Sequence, residues 1–264
     1  MPGSRRAKKP GKSSTSQKQA NSQKQTKRKS PVSKKKAAGR TVPKATRARS
    51  KRRDLREISA RARSIAGLLG STYPDAHCLL DHSGPFELLV ATILAAQCTD
   101  ERVNKVTPAL FKRFPTPTAM AAADIDELEG LIRSTGFYHN KAKSIKGASE
   151  VLRSKFPDGF PATMDSLLML PGVGRKTANV VLGTCFDTPA IIVDTHFRRV
   201  TQRLGHVVSD DPDEIEREMT ALLPPEEWTS FSHSVTFHGR RCCAARKPDH
   251  ARCPVAGLCD SRDI

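Results

Sequence analysis

From residue 54 onward the apolar positions fall three and four residues apart, the period of a helix with one buried face. Leu55, Ile58, Ile65 and Leu68–Leu69 mark an opening helix over 54–71. Residues 86–97 are apolar almost without break (Phe86, Leu88, Leu89, Val90, Ile93, Leu94), so that helix is expected to be central and buried. Asp100 stands where it can N-cap a helix carrying Val103, Val106, Ala109 and Leu110. Further helices are predicted over 124–134, 140–155, 164–169 and 213–223, the last with Pro212 near its start. No two alternating stretches are joined by a hairpin turn; Ile191–Val193 has strand composition but no partner. The predicted fold class is all-α. No stretch has the length of a membrane-spanning helix, and no internal repeat is present.

Two segments interrupt the periodic pattern with chemistry. LPGVGRKTANVVL (170–182) places a tight turn, Pro171-Gly172-Val173-Gly174, ahead of a helix predicted from Arg175 to Phe186. Both glycines can take positive φ. A glycine turn that opens a helix directs bare N–H groups and the positive end of the dipole outward, which suits a phosphate. Lys176 falls in the first turn of that helix, where a cation is least welcome; a neutral lysine amine is a Schiff-base nucleophile. VDTHFRR (193–199) follows. A helix from Lys176 to Asp187 climbs ~17 Å, and the steps from Asp187 to Asp194 span at most ~23 Å. The chain can therefore double back and bring Asp194 to the lysine, with Thr188-Pro189 as the break. Asp194 precedes a second helix, Thr195 to Leu204, closed by Gly205. Read singly, the hairpin is a helix-entry turn and Asp194 a cap; the conjunction points to a site.

Charge divides the chain. Residues 1–53 hold 20 Lys and Arg and no acid, whereas the remaining 211 residues carry 25 basic and 27 acidic side chains, so the net +18 belongs to the tail. The tail has no Leu, Ile, Phe, Trp or Tyr and is expected to be disordered. Its charge suits nucleic-acid phosphates; a solubilising leader, a transit peptide or a nuclear address are the alternatives, while a secretory signal lacks its apolar region. Seven cysteines without such a signal suggest reduced thiols. Cys78, Cys98 and Cys185 sit in apolar helical contexts; Cys242, Cys243, Cys253 and Cys259 crowd the end.

Taken together, these segments resemble the helix-hairpin-helix glycosylase superfamily, and within it the endonuclease III branch. PFELLVATILAAQCTDERVNK (85–105) resembles the segment that supplies a glutamine, Gln97, to DNA; STGFYHNKA (134–142) resembles the loop bearing a wedge residue, Phe137. HGRRCCAARKP (238–248) resembles the approach to an iron–sulfur loop. The match runs from about Asp54 to Cys259. It implies two lobes, 78–188 and 54–77 with 189–264, with the active site between them. It also implies a 4Fe–4S cluster on cysteines spaced C-x6-C-x2-C-x5-C, which from Cys243 gives His250, Cys253 and Cys259. The second position is histidine, which can replace a thiolate on cluster iron. Asp249 or Cys242 could serve instead, and Cys3His is also an ordinary zinc set.

The implied activity is removal of oxidised pyrimidines from double-stranded DNA by a monomer. Lys176 would attack the sugar and form an imine, β-elimination would cut the strand, and Asp194 would stabilise the cationic sugar. Gly172, Val173, Gly174 and Arg175 would hold the DNA backbone. His196 and Asp100 would shape the site. Pyrimidine-dimer and mismatch glycosylases are related alternatives, as is a non-catalytic DNA-binding protein. The adenine-specific branch lacks a lysine at the position of Lys176. The expected location is cytoplasmic, on the nucleoid, in a bacterium, and nuclear or organellar in a eukaryote.

Overall fold

In the computed structural model, residues 55–262 are described; the expectations for the tail, residues 1–53, lie outside them. Eleven α-helices follow in order: α1 (Leu55–Thr72), α2 (Pro85–Leu94), α3 (Asp100–Arg113), α4 (Pro117–Ala121), α5 (Ile125–Ile132), α6 (Tyr138–Lys155), α7 (Met164–Leu168), α8 (Arg175–Cys185), α9 (Thr195–Arg203), α10 (Pro212–Thr220) and α11 (Trp228–Arg241). No strand occurs among the described residues, and none of their helices is long and apolar enough to cross a membrane.

Two hydrophobic cores organise the helices. The first gathers side chains of α2 to α8, among them Leu88, Leu94, Leu110, Ile132, Ile145 and Leu182. Every residue of α2 from Leu88 to Leu94 is buried; each large aliphatic side chain there contributes about 1.5–3 kcal/mol. The second core joins α1 (Ile65, Leu69) to α9 (Phe197, Val200), α10 (Ile215, Met219) and α11 (Phe231, Val235). Arg61 ties α1 onto the end of the chain, donating to the Leu258 carbonyl at 3.1 Å and to Asp260 Oδ1 at 2.7 Å. Gly205, at φ 72°, follows α9 as expected, and a Cβ there would lie 1.9 Å from Asp260 Oδ2.

Ile191–Val193, strand-like in composition, runs extended between the cores. Ile192 packs into the first core, Ile191 and Val193 into the second, which is the alternation of an extended chain. Side chains, rather than a neighbouring strand, meet backbone groups along it. Ala190 N–H donates to Thr229 Oγ1 (3.2 Å), Ile192 N–H to Ser232 Oγ (3.0 Å), and Asn179 Nδ2 to the Ile191 carbonyl (2.9 Å).

Several predicted boundaries move. α2 stops at Leu94, three residues short of the expected end, because Gln97 adopts φ 54° and leaves the helix. The N-cap of α3 is Thr99, whose hydroxyl accepts from Arg102 N–H at 3.3 Å; Asp100 is instead the first helical residue and pairs with Arg240. α4 and α11 have no counterpart in the sequence reading. α11 is poor in strong helix formers (WTSFSHSVTFHGRR), and its buried face, from Phe231 to Gly239, is stabilised by packing on α1 and α9.

Candidate active site

The hairpin between α7 and α8 is held by backbone bonds: Leu170 N–H donates to the Leu167 carbonyl and Val173 N–H to the Leu170 carbonyl, both at 3.1 Å. Gly172 takes φ 77° as expected, and a Cβ there would stand 2.5 Å from Ser144 Cβ. Gly174 departs from expectation. Its φ is −99°, an extended conformation open to any residue, and nothing lies near its missing Cβ. It serves as N-cap of α8 without a side-chain cap, so the first amides of α8 have no intrahelical acceptor and face outward. Val173 is buried in the first core, leaving only its backbone for a ligand. Arg175 is engaged by α10, its Nε and Nη2 donating to Glu216 at 2.7 and 2.8 Å. This pair fastens α10 to the start of α8.

The doubled-back path predicted for the chain is present. α8 ends at Cys185, Asp187 turns at φ 48°, and Thr188 N–H donates to the Leu182 carbonyl at 3.2 Å. Lys176 and Asp194 then border one open cleft of about 630 Å³, together with Gln97, Asp100, His196 and Arg240. Lys176 is exposed and Asp194 half-buried. The carboxylate of Asp194 is fixed at both oxygens: Oδ1 accepts from Phe197 N–H (2.7 Å), capping α9, and Oδ2 accepts from Thr236 Oγ1 (3.4 Å). Cap and cleft wall are thus one residue. Asp100 Oδ2 accepts from Arg240 Nη1 at 2.7 Å beside the same pair. Behind them a smaller recess adds His77, Cys78 and His233. Burial, followed by the neighbouring His77, pushes His233 down to about 4. The His196 ring has Nδ1 3.1 Å from Arg199 Nη2.

Phe137 does not line this cleft. It is 65% exposed and N-caps α6 at φ 49°. Gln97 and Phe137 are thus both non-glycine residues in the left-handed region, each at a cost of about 1–3 kcal/mol. Sequence reasoning missed Thr236, Arg240 and His233, all on α11. The only mark they carry in sequence is their place just before the cysteine-rich end.

At that end, Cys242, Cys243, His250, Cys253 and Cys259 line one cavity with Arg203 and His238. Potential ligand atoms of His238, Cys242 and Cys253 lie within 4.8 Å of one another, a Cys/His group able to hold a metal. Arg203 Nη1 donates to Cys243 Sγ at 3.3 Å, and Cys259 Sγ to the Arg203 carbonyl at 3.4 Å. The three alternatives for a fourth ligand are placed differently. Asp249 is taken by Arg252, whose Nε lies 2.6 Å from Oδ2. The Cys242 thiol donates to the Asp249 carbonyl (3.4 Å). His250 Nδ1 meets the Arg262 carbonyl at 2.5 Å.

Comparison with known proteins identifies the family and the fold. Residues 90–225 match the family model for the HhH-GPD superfamily of base excision DNA repair proteins. Endonuclease III of Synechocystis sp. is 51% identical over 210 residues, covering 79% of this chain and 96% of that one. Endonuclease III of Bacillus subtilis is 44% identical over 192 residues, covering 72% and 88%. A solved non-covalent endonuclease III–DNA complex superposes with a TM-score of 0.74 at 45% identity, covering 77% of this chain and 96% of that one. A thermostable thymine-DNA glycosylase, at 20% identity and a TM-score of 0.71, shares the fold. With its hairpin, its lysine and its doubled-back aspartate in one cleft, the chain belongs to the endonuclease III family of the HhH-GPD superfamily.

Proposed function

We propose that this chain is a bifunctional DNA glycosylase and abasic-site lyase of base-excision repair, removing oxidised pyrimidines from double-stranded DNA. The observation that carries this reading is the meeting of Lys176 and Asp194 in one cleft beside the uncapped N-terminus of α8. A base within a duplex is out of reach, so the nucleotide is extruded first, at lowest cost where damage has weakened pairing. The hairpin backbone at Gly172, Val173 and Gly174 and the first amides of α8 hold a phosphate, with Arg175 bracing them through Glu216. Gln97 and Phe137 occupy the vacated stack, where an aromatic ring recovers stacking.

The amine of Lys176 attacks the sugar C1′. The bond from C1′ to the base breaks, the base leaves with the electron pair, and ring opening gives a protonated imine. Removal of a C2′ proton then expels the 3′ phosphate, cutting the strand, and water releases the lysine. Asp194 opposes the positive charge on the sugar and accepts the proton that Lys176 gives up. His196 walls the cleft next to it. The two cores are read as two lobes, 78–188 and 54–77 with 189–264.

In the same reading the terminal loop carries a 4Fe–4S cluster on Cys243, His250, Cys253 and Cys259. Three thiols in one cavity suit cluster iron, and Arg203 Nη1 donates to one of them, Cys243 Sγ. With Nδ1 donating to the Arg262 carbonyl, His250 keeps an Nε2 lone pair, the usual posture of a ligating histidine. When bound, the cluster cross-links the loop. Purified protein should be yellow-brown, with iron and sulfide in equal amounts. His250→Cys should keep the cluster and lower its potential; His250→Ala should make it labile. One zinc per colourless chain would overturn this part.

Borohydride trapping on a duplex with a single oxidised pyrimidine tests the chemistry. Lys176→Gln should lose both cross-linking and cleavage while retaining DNA binding, and Asp194→Asn should keep its fold with a loss of at least about 100-fold in turnover. Undiminished cross-linking by Lys176→Gln would remove the central claim.

A further inference from the structure

Lys141, in the first turn of α6, is only 5% exposed, and burial pushes its ammonium toward the neutral form. Its hydrogen-bond partners among the described residues are carbonyls, not carboxylates, and it stands at the positive end of its own helix, the wrong end for a cation. Three unfavourable terms thus converge on one side chain. They are offset by two carbonyls: Nζ donates to the Leu94 oxygen and to the Thr135 oxygen, each at 2.8 Å. The two oxygens therefore lie no farther apart than twice that distance.

Their positions give the arrangement its meaning. Leu94 is the last residue of α2, three residues before Gln97; Thr135 ends a short 3-10 turn, two residues before Phe137. Gln97 and Phe137 are both exposed and held at positive φ, forty residues apart in sequence. A buried apolar side chain would fill the same space without the cost of desolvating a charge. What it would not do is fix both strained turns to one atom. We propose that Lys141 is a positioning residue for base extrusion, holding the Gln97 and Phe137 turns at a set separation so that both side chains enter the duplex as a unit. The inference rests on the assignment of those two residues to the vacated stack.

Lys141→Met keeps the stem and removes the donors. Two single-turnover rates separate positioning from general damage: excision of an oxidised pyrimidine from a duplex, which requires extrusion, and strand cleavage at a preformed abasic site, which requires little. Excision should fall at least tenfold, with abasic-site cleavage within threefold of the parent. Adding Phe137→Ala to Lys141→Met should then cost excision little more, since the wedge is already misplaced. Equal losses in both rates, unaltered excision, or full additivity would overturn the proposal. Should Lys141→Met not fold, Lys141→Gln, which retains one donating group, is read by the same ratio. Hydrogen exchange on the free protein gives a readout independent of activity: amides near Gln97 and near Phe137 should speed up together while those of α9 do not. A change at only one turn would overturn the coupling. A parent protein that excised no base would sink the glycosylase reading, and the exchange experiment would still decide this one.

Discussion

Asp194 illustrates how a single residue caps a helix and lines a cleft at once. The Oδ1 bond to Phe197 N–H is an ordinary N-cap, and it is also what orients Oδ2 toward Thr236 and the cleft. Capping α9 therefore does not take Asp194 out of the cleft. Neighbouring His233 adds a titration. Burial, then His77, then Lys176 push it down, while Asp194 opposes them. The folded protein therefore keeps His233 neutral, whereas the unfolded chain takes up a proton near pH 6.5. The stability that His233 contributes should accordingly be lost as the pH drops from about 6.5 toward 4, by an amount on the order of 2–3 kcal/mol. Urea midpoints across that range should slope less in His233→Gln; an identical slope would mean that His233 is not the group responsible.

At the level of elements, the hairpin's two glycines are not equivalent. Gly172 needs its positive φ and the space that Ser144 leaves it, so Gly172→Ala should cost about 2–4 kcal/mol. Gly174 is extended with open surroundings. Gly174→Ala should leave stability within about 1 kcal/mol yet weaken DNA binding, because its methyl group would sit at the bare start of α8. Denaturant midpoints and binding isotherms for the pair check this; equal stability losses would show that the hairpin constrains both. The sequence pattern identified most helices, since amphipathic periodicity follows from burying one face. It did not disclose α11, whose serines and threonines are weak helix formers. There, the hydroxyls of Thr229 and Ser232 serve the connector backbone, a reason for those residues that only tertiary contact reveals.

Across the whole molecule, charge separates from chemistry. The tail of residues 1–53 carries all of the net positive charge and the remainder is slightly acidic. Deleting the tail should weaken DNA binding at low salt and flatten the plot of log K against log salt, each lost phosphate contact removing about 0.9 from the slope. Single-turnover cleavage at saturating enzyme should hardly change. An unchanged slope would show that the tail makes no phosphate contacts.

By itself, the sequence determined the all-α class, the hairpin ahead of α8, the meeting of Lys176 with Asp194, and the crowding of four cysteines at the end. Each of these depends on local period, turn chemistry or chain reach, which act over a few residues or one short loop. Only the tertiary structure decided that Ile191–Val193 needs no strand partner, that Arg175 is clamped by Glu216, that Thr236 braces Asp194 while Arg240 borders the cleft, and that one buried lysine holds two strained turns together. Those arrangements join residues forty or more apart in sequence or pair a backbone with distant side chains. No period or propensity encodes them, because the energy that selects them, desolvation offset by a particular partner, exists only once the cores have closed.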